Sequence, residues 1–313
     1  MTVAASTALI TGPTRGLGRA AALAMADRPD GERPDLLLVG RNGQGLKDTA
    51  EAARARGATV HEIACDLSSL ADVRAAAAAV RKLIEAGAVR PLRALVANAG
   101  TMSADTRLAS ADGYELTFAV NYLAHAQLIG DLLDSFAEPA RIVLVGSNTY
   151  HANLYRRLMA VPAAQWRDPV EIARPATGEK NPGFKATGIA YSTAKLAVLY
   201  YAHELQRHAR PGMNVAVFEP GWMPGTSLAR GAPAALQAVG RGLARLPGVA
   251  TPEHSGPTLA SIALNQQWAG LRDGAFVVRD KVIEVRPVAQ DRDRERRLWA
   301  ATAELLEQAG TAG

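Results

Sequence analysis

Short apolar runs alternate with longer alanine-rich stretches along nearly the whole chain. The runs are TALIT (7–11), DLLLVG (35–40), ATVHEIA (58–64), LRALVAN (92–98), RIVLVGS (141–147), MNVAVFE (213–219) and GAFVV (274–278). Most read as continuous apolar segments, the signature of strands buried on both faces of a sheet. Helix-compatible stretches fall between them, near 16–27, 44–56, 69–86, 113–136, 190–209, 252–265 and 292–308. Strand followed by helix, repeated, predicts parallel βαβ units. The expected fold class is α/β: a single doubly wound, about seven-stranded parallel sheet with helices on both faces. One domain is expected over residues 1–313.

Two stretches break this rhythm. Residues 149–188 follow the fifth run and carry Pro162, Pro169, Pro175 and Pro182; residues 222–250 follow the sixth and carry Pro224, Pro233 and Pro247. Both leave the carboxyl end of a strand, where open α/β sheets bind ligands. Long irregular connections in compact domains are usually functional, so both are expected to cover a substrate.

Composition narrows the class. At 48% apolar and 21% charged residues, the 313-residue chain is globular rather than disordered. Its one cysteine, Cys65, excludes an intramolecular disulfide and a multi-cysteine metal site. The start, MTVAASTALITG, lacks a basic segment and an apolar core of signal-peptide type, and no apolar run has membrane-spanning length. A cytoplasmic location without a membrane span is expected. The net charge is +5, but its densest cluster, DRDRERR (291–297), alternates in sign. That reads as a solvated helix face, and no nucleic-acid partner is expected.

The first run leads into TGPTRGLG (11–18). Gly12, Gly16 and Gly18 allow a tight turn and close approach to a pyrophosphate, which the following helix start would bind through free N–H groups and its dipole. Thr14, Arg15 and Leu17 belong to the same turn. A site for NAD normally carries an acidic residue about 20 positions later, against the ribose 2′-hydroxyl. Gly40 stands there instead, with Arg41 next. Arg15 and Arg41 suit a 2′-phosphate, because guanidinium pairs with phosphate in bidentate fashion. NADPH/NADP is the expected cofactor.

Tyr191 and Lys195 lie in YSTAK (191–195), placed by the pattern at the start of a helix, and their spacing puts them on one face. A free phenol titrates near pKa ~10, and a nearby ammonium is expected to lower it toward the working range. Ser147 ends the fifth run and is positioned to bond a substrate carbonyl.

In one order the chain shows TGPTRGLG, CDL (65–67), NAG (98–100), Asn121 in FAVNYLAH, VGS (145–147), YSTAK and EPG (219–221). This set resembles the short-chain dehydrogenase/reductase family, a Rossmann fold, across nearly the full length. Within it, the pattern is most similar to the branch of retinol dehydrogenases and light-dependent protochlorophyllide reductases. The cues are GRN after the second run, FAVNYLAHAQL, PGWMPGTSLAR (220–230) and the tail AQDRDRERRLWAATAELL. The resemblance implies that Tyr191 donates a proton to the carbonyl oxygen, that Lys195 binds the nicotinamide ribose and lowers the tyrosine pKa, that Ser147 orients the carbonyl, and that Asn121 holds a water linking Lys195 to solvent. It further implies that Asp66, with Leu67, contacts adenine, that Asn98, Ala99 and Gly100 pass beside the cofactor, and that Pro220, Gly221 and Trp222 border the nicotinamide. Thr226, one place later than usual, is a further cofactor contact.

The chain departs from the pattern in three ways. The gap between Ser147 and Tyr191 is long, implying an inserted segment. Trp222 stands where the pigment reductases carry a cysteine, which weakens a photoreductase reading. The membrane anchor of many retinol dehydrogenases is not visible. His151, Tyr155, Trp222 and Met223 fall on the expected substrate side. Aromatics in or beside the two segments (Tyr150, Tyr155, Trp166, Trp222) either stack on a flat substrate or pack the segments onto the sheet. His125 and His203 read as structural or solvated, Tyr200 and Tyr201 as core or interface, and Trp299 as part of a packed C-terminal helix.

The expected function is NADPH-dependent reduction of a carbonyl on a bulky, largely apolar small molecule of secondary-metabolite type, or the reverse oxidation. The alternatives are a C=C reductase of the protochlorophyllide-reductase type and a catalytically silent NADPH-binding sensor or scaffold. A homo-oligomer of the kind relatives form is compatible with the sequence.

Overall fold

The computed structural model describes residues 6–153, 161–221, 223 and 249–311. Tyr155, Trp222 and Thr226, expected at the site, lie outside the described residues, as does most of the second irregular stretch.

Eight strands form one sheet: β1 (Thr7–Thr11), β2 (Asp35–Gly40), β3 (Val60–Ala64), β4 (Leu92–Ala97), β5 (Phe136–Val145), β6 (Met213–Glu219), β7 (Ala275–Val278) and β8 (Lys281–Ile283). Their spatial order is β3-β2-β1-β4-β5-β6-β7-β8, parallel except for β8, which pairs antiparallel with β7. The chain order reverses between β1 and β4, so the topological switch point lies at their carboxyl ends. Every residue of β2 is buried, whereas β3 at the edge alternates with exposed positions.

The principal helices are α1 (Gly16–Ala26), α2 (Gln44–Arg54), α3 (Leu70–Glu85), α4 (Leu116–Phe118), α5 (Ala124–Leu132), α6 (Pro169–Ile172), α7 (Gly183–His208), α8 (Pro252–Leu264) and α9 (Arg292–Thr311). Helix α2 buries Leu46, Thr49, Ala50 and Ala53, one face of a 3.6-residue period. Ser69 caps α3 by accepting the Asp72 N–H, and Thr251 caps α8, which begins with proline. Successive strand residues feed opposite faces. Leu9, Leu37, Leu95, Ile142 and Val217 join the core under α3, α5, α7 and α9. Ile10, Leu38, Val96, Val143 and Ala216 join the core under α1, α2 and α8.

Three differences from the sequence reading have physical causes. The eighth strand is three residues long and exposed throughout, so it carries no burial pattern. Strand β5 begins at Phe136, earlier than its apolar run. Helix α7 begins at Gly183, so YSTAK lies two turns inside it rather than at its start. The glycines at 183 and 188 interrupt the apolar period, and Gly188 is there for packing: a Cβ on it would lie 2.6 Å from Pro162 Cδ. The Ser192 hydroxyl donates to the Pro162 carbonyl at 2.7 Å, and Gln165 N–H donates to Thr193 Oγ1 at 3.1 Å. The first irregular stretch is thereby docked onto α7.

Of the aromatics in or beside the two segments, the described Tyr150 and Trp166 follow the packing alternative. Trp166 meets Tyr200 edge-on at 4.7 Å, and the buried Tyr150 lies edge-on to Phe276, its hydroxyl accepting the Arg286 N–H. Tyr201 stacks on Trp299 at 5.5 Å, fixing α9 to α7. His203 and Arg207 of α7 both bond the buried Glu295 of α9. The charged cluster at 291–297 is engaged in ion pairs, Arg294 with Asp291, Arg296 with Asp293 and Arg297 with Asp168. Among the described residues no helix is long and apolar enough to cross a membrane, and no metal-binding cluster occurs.

Candidate active site

The glycine turn lies against the end of β4 at the switch point. Gly18 permits this approach: a Cβ there would sit 2.4 Å from both Asn98 Nδ2 and the Gly12 carbonyl oxygen. In the native turn Asn98 Nδ2 donates to the carbonyls of Thr11 (2.9 Å) and Gly12 (3.2 Å). Gly16 has φ +53°, a backbone state that favours glycine, with open space where a side chain would be. Helix α1 has no side-chain cap and no acidic residue in its first turn, leaving its leading N–H groups without a side-chain acceptor at Arg15. Arg15 and Arg41 are exposed on the same edge, and Gly40 closes β2 against Pro13 and Thr14. Leu17 is buried beneath the turn.

These features fit a nicotinamide dinucleotide. The turn is open where an anion would enter, rigid where it meets β4, basic at its rim and free of the carboxylate that would repel a 2′-phosphate. Asp66, partly buried, accepts from Ser68 N–H and Oγ, which fixes its carboxylate beside the buried Leu67. Pro220 is buried, its carbonyl accepting the Ser255 hydroxyl, and Gly221 follows at φ +93°.

Ser147, Tyr191, Lys195 and Asn121 converge beside this turn. Ser147 lies just past β5, its Oγ accepting the Thr149 N–H at 3.3 Å while its hydroxyl bonds Tyr191. Lys195 Nζ lies 5.8 Å from the Tyr191 ring centre and donates to the Val145 carbonyl at 2.6 Å. Asn121 is buried in a π-helical turn (Ala119–Leu123) between α4 and α5, a local widening common at functional sites. Its side chain accepts from Thr101 N–H (2.7 Å) and donates to Thr101 O (2.8 Å). A Cβ on Gly100 would be 3.2 Å from Asn121 Oδ1 and 3.8 Å from Lys195 Nζ, so the NAG strip lies against both.

The expected lowering of the Tyr191 pKa is not what the surrounding groups produce. Burial pushes this phenol up to about 12, the Ser147 bond pulls it down and the charge of Glu219 pushes it up. Burial likewise lowers Lys195 to about 8. Desolvation is the largest influence on the phenol, and the ammonium's hydrogen bond goes to Val145 O.

Glu219, closing β6, is the site residue that sequence reasoning missed. It is buried, and burial pushes it up to about 7 against the opposing pull of Gly221 N–H, Arg279 and Asn148 N–H. A carboxylate ending an otherwise apolar run was the available signal. Of the expected substrate-side residues, His151 packs at 4.5 Å on the buried Tyr150 ring. Met223 is partly buried against the core beneath α1 and α8.

Residues 6–157 match the family model described as short chain dehydrogenase. The chain is 30% identical over 324 aligned residues to polyprenol dehydrogenase of Mus musculus, covering 97% of this chain and 84% of that protein. It is 34% identical over 158 residues to the short-chain dehydrogenase iccH of Talaromyces variabilis; that match spans 46% of this chain and 41% of iccH. The fold is also that of a variant of actinorhodin polyketide ketoreductase solved with NADPH, at TM-score 0.62 and 20% identity, covering 88% of this chain and 96% of that one.

Proposed function

The chain belongs to the short-chain dehydrogenase family of oxidoreductases, and on that premise we propose that it is an NADPH-dependent reductase of a carbonyl on a bulky, largely apolar small molecule. The observation that carries this reading is the convergence of Ser147, Tyr191 and Lys195 beside an uncapped glycine turn at the β1–β4 switch point.

The glycine turn, the first turn of α1, Arg15 and Arg41 would hold the dinucleotide, and Asn98–Gly100 with Pro220–Gly221 would flank it. When bound, reduced nicotinamide supplies hydride to the carbonyl carbon. The protein's own residues handle the proton. The Ser147 hydroxyl, fixed by the Thr149 N–H, orients the carbonyl oxygen toward Tyr191. Tyr191, with its pKa pushed up to about 12, is a protonated phenol at neutral pH, the state needed to donate to that oxygen. Reduction is the proposed direction, and the high pKa keeps the phenol in its proton-donating form across neutral pH. Lys195, still largely ammonium at neutral pH, would take the nicotinamide ribose hydroxyls, and Asn121 would supply the path to solvent.

The apolar substrate class is supported by the polyprenol dehydrogenase likeness and by the long segments flanking the site. The test is loss of NADPH absorbance over a panel of polyprenal-, retinal- and polyketide-type carbonyls, with product analysis on substrates that also contain a C=C bond. Turnover of apolar ketones or aldehydes to alcohols is expected. Turnover confined to small hydrophilic carbonyls, or saturation of the C=C bond, would overturn it.

A further inference from the structure

Thr11 closes β1 and is fully buried. Its hydroxyl oxygen accepts the backbone N–H of Asn98 and of Ala99, each at 3.0 Å. Those two bonds occupy both acceptor positions of a hydroxyl. The remaining hydrogen has to be donated, and His125 Nε2 stands 3.0 Å away. Nε2 is therefore the acceptor and carries no proton. The neutral ring keeps its proton on Nδ1, which faces the Asn121 carbonyl oxygen at 3.3 Å. Every proton of the chain then has one role: Asn98 and Ala99 N–H to Thr11 Oγ1, Thr11 O–H to His125 Nε2, His125 Nδ1–H to Asn121 C=O.

His125 is 2% exposed. It lies on α5 one turn after Asn121, and the charged group acting on it is Lys195 of α7. Burial first, and then the Lys195 charge, hold the imidazole down to about 4, against the opposing bond to Asn121. Adding a proton at Nε2 would set it against the Thr11 hydroxyl hydrogen, so geometry and charge select the same neutral form.

We propose that His125 is a positioning residue, which as its Nδ1–H tautomer locks the Asn98–Gly100 strip to the π-helical turn carrying Asn121 and so fixes the surface against which the dinucleotide binds. The inference rests on the nucleotide reading above. It adds that the strip's geometry depends on one tautomer rather than on packing alone.

Two measurements test it. The first is the ¹⁵N–¹H correlation spectrum of the imidazoles in the native protein without nucleotide. An Nδ1–H tautomer for His125, unchanged from pH 5.5 to 9, is expected. An Nε2–H tautomer, or titration near the ordinary histidine value, would overturn the proposal and needs no variant to be seen. The second is NADPH affinity, by fluorescence titration, of Thr11→Val and Thr11→Ser. Valine keeps the shape and removes the hydroxyl; serine keeps the hydroxyl. Thr11→Val is expected to weaken NADPH binding about tenfold and to release His125 into a tautomer mixture. Thr11→Ser is expected to restore both. Wild-type affinity in Thr11→Val would refute the role of the chain, whereas failure of the wild-type protein to bind NADPH would instead refute the function proposed above.

Discussion

Lys195 buries an ammonium at 4% exposure, and this makes a counterintuitive prediction: replacing it with methionine abolishes turnover yet stabilises the protein at neutral pH. The folded-state pKa is lowered from 10.5 to about 8, with burial as the cause. That shift corresponds to roughly 3 kcal/mol of unfavourable charge burial whenever the lysine is protonated in both states. The sign follows from proton counting. Between pH 8 and 10.5 the unfolded chain holds the proton and the folded chain has released it, so stability rises with pH in that window. Below pH 8 the full penalty applies; above 10.5 it is gone. Methionine follows the same path through the core without charge. It forfeits the bond to the Val145 carbonyl, which costs about 1–2 kcal/mol. Lys195→Met is therefore expected to gain about 1–2 kcal/mol at pH 7 and to lose that advantage by pH 10.5. Urea unfolding of both proteins without nucleotide, at a series of pH values, measures the difference directly. A difference that does not change with pH, or a variant less stable at pH 7 than at pH 10.5 relative to wild type, would refute the reasoning.

Gly18→Ala places a methyl 2.4 Å from Asn98 Nδ2 and the Gly12 carbonyl; overpacking and the strained Asn98 bonds should cost about 2–4 kcal/mol, seen as a lower urea midpoint together with weaker NADPH binding. Arg41→Asp places a carboxylate just beyond Gly40, where sites for NAD hold one, and should shift the NADPH-to-NADH ratio of kcat/KM toward NADH by about tenfold or more; an unchanged ratio would remove Arg41 from the 2′-phosphate site. Cys65, pushed up to about 12 by burial and by the charges of Asp72 and Asp66, should resist a thiol reagent at pH 8 in the folded protein and react once unfolded. Rapid modification under native conditions would contradict its placement.

Much of the fold was legible because β1, β2, β4, β5 and β6 are apolar on both faces and the helices between them carry a 3.6-residue stripe. The doubly wound order follows from that alternation. What escaped was set by tertiary contact. β8 is exposed at all three positions and exists by pairing with β7. The first two turns of α7 contain two glycines, one of which serves Pro162 rather than the helix. At the site, the glycine turn, Ser147, Tyr191 and Lys195 were readable from residue type and order, and the structure brings them together. The electrostatics were not. Residue type alone suggested a lysine that lowers a phenol; burial and the charge of Glu219 push the phenol up instead. The link from Thr11 to His125 was hidden for the same reason, since burial and partner distance are properties of the folded chain. Tyr150 and Trp166 illustrate a choice residue type left open: aromatics in irregular segments could stack on a substrate or pack the segment down, and the fold has both pack the first segment against Phe276 and Tyr200.

The central claim is that Tyr191 delivers the proton in a reaction centre built on a dinucleotide site. The most direct measurement is a comparison of wild type and Tyr191→Phe for NADPH binding by fluorescence and for single-turnover NADPH oxidation with a reactive apolar ketone. The phenylalanine keeps the ring and removes the hydroxyl bonded to Ser147. The account predicts unchanged NADPH affinity with turnover lowered about a thousandfold, in the range expected for loss of a general acid. Oxidation of NADPH at close to the wild-type rate would contradict it.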